Sequence, residues 1–377
     1  MLVTRYFGCV VISSLFGVDI RAREDISVSN NGPTIGAVDL FCGIGGLTYG
    51  LRSSGIDVVA GYDLDDTCKY AYEANNDGST FICKNINDVT GEEICDCLRG
   101  FDIKVLVGCA PCQPFSTHQK DKKHRERHKE WGLLAQFGRL AGEVMPDFIS
   151  MENVPELMKE SIFKDFVSTL ERLDYSVTYK VVKAEEYGVP QHRRRLLLLA
   201  SKVGAIQLID PTNDEKNAIT VRQAIGKLPA VEAGSSCEED PLQTASALSR
   251  TNLLRIQAST PNGTWRDWPK ELRLDCHKKN SGKTYPSVYG RMAWDQTAPT
   301  ITTQFYMYGT GRFGHPEQDR AITLREGAIL QSFPSGYKFL RPGERLSRKA
   351  IARHIGNAVP PKLGEAIGKS IIAACTK

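Results

Sequence analysis

Short apolar runs recur along the first two hundred residues of the chain, and they are short enough to be buried strands rather than helices. These runs lie at 37–41, 58–62, 80–86, 105–107, 148–151, 176–182 and 196–201. Between them, the pattern predicts helices at 47–51, 65–75 and 132–144, the last with its apolar side chains on one side. Strands that alternate with helices predict an α/β fold with a largely parallel sheet.

This alternation fades from about Val203. The following sequence is rich in turns and mixes basic with aromatic residues, as nucleic-acid surfaces do, although a small β-rich domain could look similar. An apolar helix at 363–374 resembles the elements of the first half, so we expect the C-terminus to return and pack on them. The predicted parts are a leader or linker at 1–36, an α/β part at 37–205, a smaller irregular or β-rich domain at 206–340 and the return at 341–377.

The composition restricts the class of protein and its cellular environment but does not identify a function. Of 377 residues, 41% are hydrophobic and 24% are charged, which is ordinary for a globular protein. The formal charge of +4 is small, so affinity for a polyanion must come from local clusters. Eleven cysteines without framework spacing favour a reduced, cytoplasmic environment. The apolar stretch 7–18 is too short to span a bilayer, so we expect no membrane association and interpret it as a dispensable leader or the product of an upstream start codon.

A glycine-rich turn, Cys42 to Gly46, joins the first strand to the first helix. Strand, glycine turn and helix open a nucleotide-binding βαβ unit, in which glycines let the backbone approach a ligand closely. Asp63 ends the second strand about 20 residues later, where an acidic residue would hold ribose hydroxyls. The pattern Gly-x-Gly-Gly departs from the dinucleotide fingerprint, but an NAD-dependent enzyme remains an alternative.

Cys112 is the candidate nucleophile. It follows the strand 105–107 on a turn that Pro111 and Pro114 stiffen, at the strand end where open α/β sheets bind ligands. The alternative is a structural Cys109–Cys112 pair for zinc or redox chemistry. We favour the nucleophile because no second pair of metal-binding spacing stands elsewhere in the chain.

A basic segment, 117–131, follows this turn. A solvated face is the ordinary interpretation, but beside a candidate nucleophile we favour a mobile loop that grips phosphates. His124 and His128 lie four residues apart, yet Arg125 stands where a zinc-protease pattern needs glutamate and the neighbouring cations repel a metal. We therefore predict no metal.

Two further strand ends carry polar side chains. Glu152 follows the strand 148–151 and would face the same crevice as Cys112, although an ordinary acid at a helix N-terminus is the alternative because Pro155 is expected to start a helix. Three consecutive arginines, 193–195, precede the strand 196–201, and at least one of them should point into the site.

Five blocks in this order resemble the DNA (cytosine-5)-methyltransferase family of the bacterial restriction–modification type. The blocks are 39–46, 108–116 with its Pro-Cys-Gln core, 152–154, 191–195 and 356–360. The resemblance covers residue 37 to the C-terminus and is poorest over about 203–285. It implies a Rossmann-like S-adenosylmethionine-dependent catalytic domain and assigns target recognition to 206–340.

The resemblance also implies which residues contact S-adenosyl-L-methionine. The matched positions are Phe41, Gly43, Gly45, Asp63, Leu64, Asn85, Ile86, Pro111, Leu134 and Asn357. Phe41 would stack near the adenine and Asp63 would take the ribose hydroxyls. Asn85 stands where the family often has an acid that contacts the adenine amino group, and its amide oxygen can accept the same hydrogen bond. Leu64 replaces a frequent aromatic residue.

For catalysis, the resemblance implies that the Cys112 thiolate adds to carbon six of cytosine and so activates carbon five. Glu152 would bind ring nitrogen three and the exocyclic amine, and Arg195 the carbonyl oxygen. Arg193 would support the site or a phosphate. The base must leave the duplex for this chemistry.

The expected partner is double-stranded DNA, bound by a monomer, and a paired restriction endonuclease is a functional partner the resemblance suggests. Expected DNA contacts are Gln113, Ser116, Lys122, Lys123, Arg125, Arg127, Arg266 and Arg273. Arg266 and Arg273 are the candidates for base recognition, and Lys278 and Lys279 for phosphate contacts. A tRNA cytosine methyltransferase and a non-enzymatic DNA-binding relative are the alternatives, although the intact sequence 111–113 argues against the second.

Overall fold

A mixed seven-stranded sheet carries the site. The computed structural model describes residues 32–111, 132–214, 217–280, 282 and 286–375, and residues 34–377 form one compact unit. The strands are β1 (Ile35–Leu40), β2 (Asp57–Asp63), β3 (Thr80–Cys83), β4 (Ile103–Gly108), β5 (Phe148–Asn153), β6 (Ser176–Lys183) and β7 (Arg194–Ser201). Their order is β3-β2-β1-β4-β5-β7-β6.

The first five strands are parallel, whereas β7 runs antiparallel to both β5 and β6. This confirms the predicted α/β fold, and the antiparallel pair is a departure from a wholly parallel sheet that the sequence pattern did not indicate. The C-termini of β1 and β4 meet where the chain order changes direction, which is the usual ligand position in such sheets.

Helices cover the sheet and fill the later part of the chain. They are α1 (Gly46–Ser53), α2 (Lys69–Glu73), α3 (Gly91–Cys97), α4 (Leu133–Val144), α5 (Ser161–Arg172), α6 (Val221–Ile225), α7 (Arg250–Gln257), α8 (Asp275–Lys278), α9 (Leu324–Leu330), α10 (Arg348–Asn357) and α11 (Pro361–Cys375). Within the described ranges, no helix is long and apolar enough to cross a membrane.

The central strands are apolar on both faces because both faces are covered. Val38, Leu40 and Leu106 belong to one buried cluster with α4 and α5, while Ala37 and Val105 belong to another with α1 and α11. Successive residues of a strand point to opposite faces, so a run without polar alternation signals this double burial.

The C-terminal helix α11 packs directly on α1. A Cβ added at Gly50 would lie 2.2 Å from the carbonyl oxygen of Pro361, and one added at Gly364 would lie 2.9 Å from that of Leu47. Glycine at both positions therefore permits the close approach of the two helices.

Residues 206–340 hold short helices, turns and isolated bridges, and none of the seven strands lies in their described part. Apolar residues of this segment share a buried cluster with Ile44 and Tyr72 of the α/β part. The division into a second domain remains a prediction.

A buried ion pair stabilises this segment. Both Nη atoms of Arg320 donate to the two carboxylate oxygens of Glu326 at 2.8 Å, and the residues are 0% and 1% exposed. The backbone N–H of Thr323 donates to the same carboxylate at 2.8 Å, and Arg320 Nε donates to the carbonyl oxygen of Val231 at 2.9 Å. The pair thus joins the start of α9 to a loop about 90 residues earlier.

Removing one partner of this pair should be costly. We expect Glu326→Ala to lower the free energy of unfolding by about 3–5 kcal/mol, because it leaves the Arg320 guanidinium charged and buried. Chemical denaturation measures the loss. The control is Asp295→Ala, which breaks the Arg222–Asp295 pair between side chains that are 55% and 76% exposed. It should leave the midpoint unchanged; equal shifts in the two variants would contradict the role assigned to burial.

Candidate active site

A cavity of about 770 Å³ opens at the carboxyl ends of β1, β2 and β4. Of the ten residues matched to cofactor contacts, eight line it. They are Phe41, Gly43, Asp63, Leu64, Asn85, Ile86, Pro111 and Asn357. Residues far apart in the chain, from 41 to 357, therefore line the same cavity.

Two matched residues are placed elsewhere. Gly45 has φ of 84°, and a Cβ added there would lie 2.4 Å from Asn76 Nδ2, so it shapes the turn and faces Asn76. Leu134 points into the hydrophobic core, and its neighbour Leu133 lines the cavity instead. Successive side chains of a helix point about 100° apart, so a shift of one residue decides whether a leucine faces the cavity or the core. The sequence match does not determine which of the two leucines of α4 faces the cavity.

Asp63 is a cavity carboxylate that backbone N–H groups hold in place. Its Oδ2 accepts the backbone N–H of Gly43 at 2.8 Å, and its Oδ1 accepts that of Asp65 at 2.9 Å. A carboxylate has about four acceptor sites, so Asp63 keeps acceptor capacity on the cavity side. Burial raises the pKa of the carboxyl above its usual value. Leu64, beside it, is 68% exposed at the cavity wall.

Asp39 is a cavity residue that sequence reasoning missed. It is 1% exposed on β1, and its Oδ2 accepts the hydroxyl of Thr48 at 2.7 Å. Its Oδ1 has no hydrogen-bond partner among the described residues. Burial raises the pKa of Asp39 to about 7. The available signal was a lone carboxylate inside an apolar strand, since such a group is costly without a partner.

Asn85 and Asn87 form a small amide network on the same wall. The oxygen Oδ1 of Asn85 accepts the backbone N–H of Asn87 at 3.0 Å and its side-chain Nδ2 at 2.9 Å. Both lone pairs of this oxygen are therefore used. This geometry is at odds with the expectation that Asn85 Oδ1 accepts a ligand amino group.

Glu152 lies at the carboxyl end of β5 and is 3% exposed. Arg195 Nε lies 2.8 Å from Oε1, and the thiol of Cys109 donates to Oε2 at 2.8 Å. Glutamate and arginine are thus brought together as the sequence predicted. The contact of Cys109 was not predicted, and it gives this thiol a partner other than Cys112.

The next residue, Asn153, shapes the turn that leads to the candidate nucleophile. Its Nδ2 donates to the carbonyl oxygen of Ala110 at 2.9 Å, which fixes the backbone just before Pro111. Cys112 itself lies outside the described residues. The same holds for the predicted DNA contacts Gln113, Ser116, Lys122, Lys123, Arg125 and Arg127, and for His124 and His128.

Arg193 is buried, and its contacts favour support of the site, one of the two roles expected of it, over a contact with phosphate. It is 3% exposed, and its guanidinium donates to the carbonyl oxygens of Ile301 at 3.1 Å and Gly356 at 3.4 Å. Gly356 precedes the cavity residue Asn357, so Arg193 joins the start of β7 to that wall. A phosphate in solvent does not reach a side chain buried in this way.

Arg266 and Arg273 border a separate pocket of about 400 Å³ with Trp265, His277 and Lys278. Arg273 donates through Nε to the carbonyl oxygen of Trp268 at 3.1 Å and through Nη2 to that of Arg266 at 2.5 Å. Arg273 therefore holds the turn that presents Arg266. Contacts of either arginine with DNA remain predictions, as do those of Lys278 and Lys279.

Asp65, Cys68 and His354 bring potential metal-ligand atoms within 4.8 Å of one another at the cavity. However, the guanidinium of Arg353 lies 2.6 Å from Asp65 Oδ2. This cation competes with a metal for the carboxylate, so the cluster is better described as an ion pair between the end of β2 and α10.

Comparison with known proteins fits this geometry. The model of the C-5 cytosine-specific DNA methylases matches residues 35–373. The type II methylase M.HgiDII of Herpetosiphon aurantiacus is 53% identical over 89% of this chain and 95% of its own. The type II methyltransferase M1.BsuMI of Bacillus subtilis is 34% identical over 88% and 78%, respectively.

A solved structure shows the same fold. A prophage-encoded protein of E. coli, described as a DNA modification methyltransferase, superposes with a TM-score of 0.68 at 22% identity, over 91% of this chain and all of that chain. The family match excludes the alternative of an NAD-dependent enzyme. The chain belongs to the C-5 cytosine-specific DNA methylases, and it is a DNA (cytosine-5)-methyltransferase.

Proposed function

We propose that the protein transfers the methyl group of S-adenosyl-L-methionine to carbon five of a cytosine that is flipped out of a specific double-stranded DNA site, through a covalent bond to Cys112. The observation that carries this proposal is the Glu152–Arg195 pair, which lies beside the turn leading to Cys112. The turn residue Pro111 also lines the predicted cofactor cavity.

The cavity fits the cofactor in size and chemistry. Its volume of about 770 Å³ lies in the range of small-molecule sites. Asp63 offers acceptors for ribose hydroxyls, the Ile86 side chain an apolar surface for a ring, and Asp39 a buried carboxylate for a cationic group. When bound, S-adenosyl-L-methionine supplies an electrophilic methyl group on a sulfonium.

The cysteine solves the central chemical difficulty, which is that carbon five of cytosine is a poor nucleophile. A bond from the Cys112 sulfur to carbon six gives carbon five enamine character, so that it can attack the methyl group. The methyl–sulfur bond of the sulfonium breaks as carbon five takes the methyl group. Solvent then takes the proton from carbon five, and the electron pair of that bond expels Cys112 as a thiolate and restores the aromatic ring. The reactive form is the thiolate, which a basic segment beside it would favour.

Glu152 and Arg195 would hold the cytosine edge. A carboxylate has about four acceptor sites, of which the Cys109 thiol uses one on Oε2. Oε1 lies 2.8 Å from Arg195 Nε as an ion pair and has no hydrogen-bond partner among the described residues, so it is free for the exocyclic amine. When the thiolate adds, ring nitrogen three takes up a proton from solvent, and Glu152 would hold that N–H, which offsets the negative charge that develops on the ring; the proton returns to solvent when the thiolate leaves. The Arg195 guanidinium has further donors for the carbonyl oxygen.

The DNA side of the proposal rests on the segments around this site. A cytosine inside a duplex cannot reach Glu152, so the base must be extruded. The basic segment 117–131 would hold phosphates, and 206–340 would recognise the target. We further propose a monomeric enzyme of the cytoplasm that protects DNA against a paired endonuclease, since the relatives described above are named as type II enzymes.

The two neighbouring cysteines test the covalent step. Cys112→Ser should abolish methyl transfer and leave the affinity for S-adenosyl-L-methionine nearly unchanged, because an alcohol is a far weaker nucleophile than a thiolate. Cys109→Ser is the matched control. It keeps a donor for Glu152 and should retain substantial activity. Transfer of tritiated methyl groups to duplex DNA measures both.

A second measurement distinguishes a nucleophilic Cys112 from a structural Cys109–Cys112 pair. Wild-type enzyme and Cys109→Ser should form a denaturation-stable complex with DNA that contains 5-fluorocytosine, since fluorine blocks the final loss of the proton. Cys112→Ser should not form it. Equal loss of activity in the two serine variants would instead support the Cys109–Cys112 pair.

Cofactor affinity should depend on pH through Asp39. Its pKa is raised to about 7, so below pH 7 the free protein holds a proton there that a cationic ligand must displace. Affinity for S-adenosyl-L-methionine should therefore be about tenfold weaker at pH 6 than at pH 8. In Asp39→Asn, any change of affinity that comes from titration of the ligand itself remains, but the dependence of affinity on pH that comes from Asp39 should disappear. Calorimetry in buffers of different ionisation enthalpy detects the released proton, and an unchanged slope in Asp39→Asn would show that Asp39 is not responsible.

A further inference from the structure

The turn after β3 places two amide side chains, Asn85 and Asn87, on the cofactor cavity with Ile86 between them. Asn85 is half-buried and Asn87 is exposed. Amide groups both donate and accept hydrogen bonds, so what they can recognise depends on which atom of each one faces the ligand.

The hydrogen bonds between the two residues fix both orientations. The backbone N–H of Asn87 can only donate, so the Asn85 atom that receives it at 3.0 Å must be the oxygen. That oxygen can only accept, so the Asn87 side-chain atom that lies 2.9 Å from it must be the nitrogen. Reversing either amide would place two donors or two acceptors against each other.

This network leaves Asn87 Oδ1 as the free acceptor of the two amides. Both lone pairs of Asn85 Oδ1 are used, while Asn85 Nδ2 keeps two N–H donors and Asn87 Nδ2 keeps one. Adenine carries an amino donor next to a ring nitrogen that accepts, which is the complementary pattern. Hypoxanthine, in which a carbonyl replaces the amino group and the ring nitrogen carries a proton, has the reverse pattern.

We propose that Asn87 accepts the hydrogen bond from the adenine amino group of the cofactor, and that Asn85 acts as a donor to the neighbouring ring nitrogen. The assignment rests on the proposed function, because it concerns the adenosyl group of S-adenosyl-L-methionine. It replaces the expectation that Asn85 Oδ1 is the acceptor.

The test compares the binding of S-adenosylhomocysteine and S-inosylhomocysteine by calorimetry. The wild-type protein should prefer the adenosyl compound by about tenfold or more, the effect of a mismatched polar pair. Asn87→Ala should lose about tenfold in affinity for the adenosyl compound and little for the inosyl compound, so that the preference largely disappears. Asp88→Ala, an exposed change in the same turn, should keep the wild-type preference.

A compensating change separates recognition from damage to the turn. Asn85→Asp in the Asn87→Ala background puts an acceptor oxygen in place of the Asn85 nitrogen on the ligand side, and it should restore the preference for the adenosyl compound. An Asn87→Ala variant with the wild-type preference overturns the assignment while leaving the proposed function intact. A wild-type protein that binds neither compound overturns both.

Discussion

The register between parallel strands is the constraint on which the site depends. Leu40 of β1 pairs with Gly108 of β4, and Gly108 pairs with Met151 of β5, so three strands end side by side. Main-chain hydrogen bonds fix this alignment, and side chains that follow these ends must therefore share one edge of the sheet. The cavity and Glu152 are neighbours for this reason.

The antiparallel strand β7 completes the site in a way that a parallel strand could not. Glu152 of β5 pairs with Leu197 of β7, and β7 begins where β5 ends. The arginines at the start of β7 therefore meet the carboxylate near the end of β5, and Arg195 lies 2.8 Å from Glu152. In a parallel neighbour, the first residues of the strand would lie at the opposite edge of the sheet. The reversal of one strand thus has a direct chemical consequence.

The strands and the glycine turn could be predicted from local pattern, whereas the pairing of Glu152 with Arg195 at one site was implied only by the family resemblance. The reversed direction of β7 could not, since a buried apolar run has no polarity of its own. The two roles considered for Arg193 could not be separated, because its partners, Ile301 and Gly356, lie more than 100 residues away in the sequence. Which of Leu133 and Leu134 faces the cavity depends on the rotation of the helix about its axis. Which of Asn85 and Asn87 has a free oxygen depends on the hydrogen bonds between the two residues. Neither property can be inferred from the order of residues alone.

Bisulfite sequencing of DNA from cells that express the full chain tests most directly the claim that this edge of the sheet methylates carbon five of cytosine in DNA. The host should lack other cytosine methylases, and cells expressing Cys112→Ser should be sequenced in parallel. The account predicts cytosines that resist conversion within one recurring duplex sequence in the wild type and none in the variant. Complete conversion in both, or equal protection in both, would contradict it.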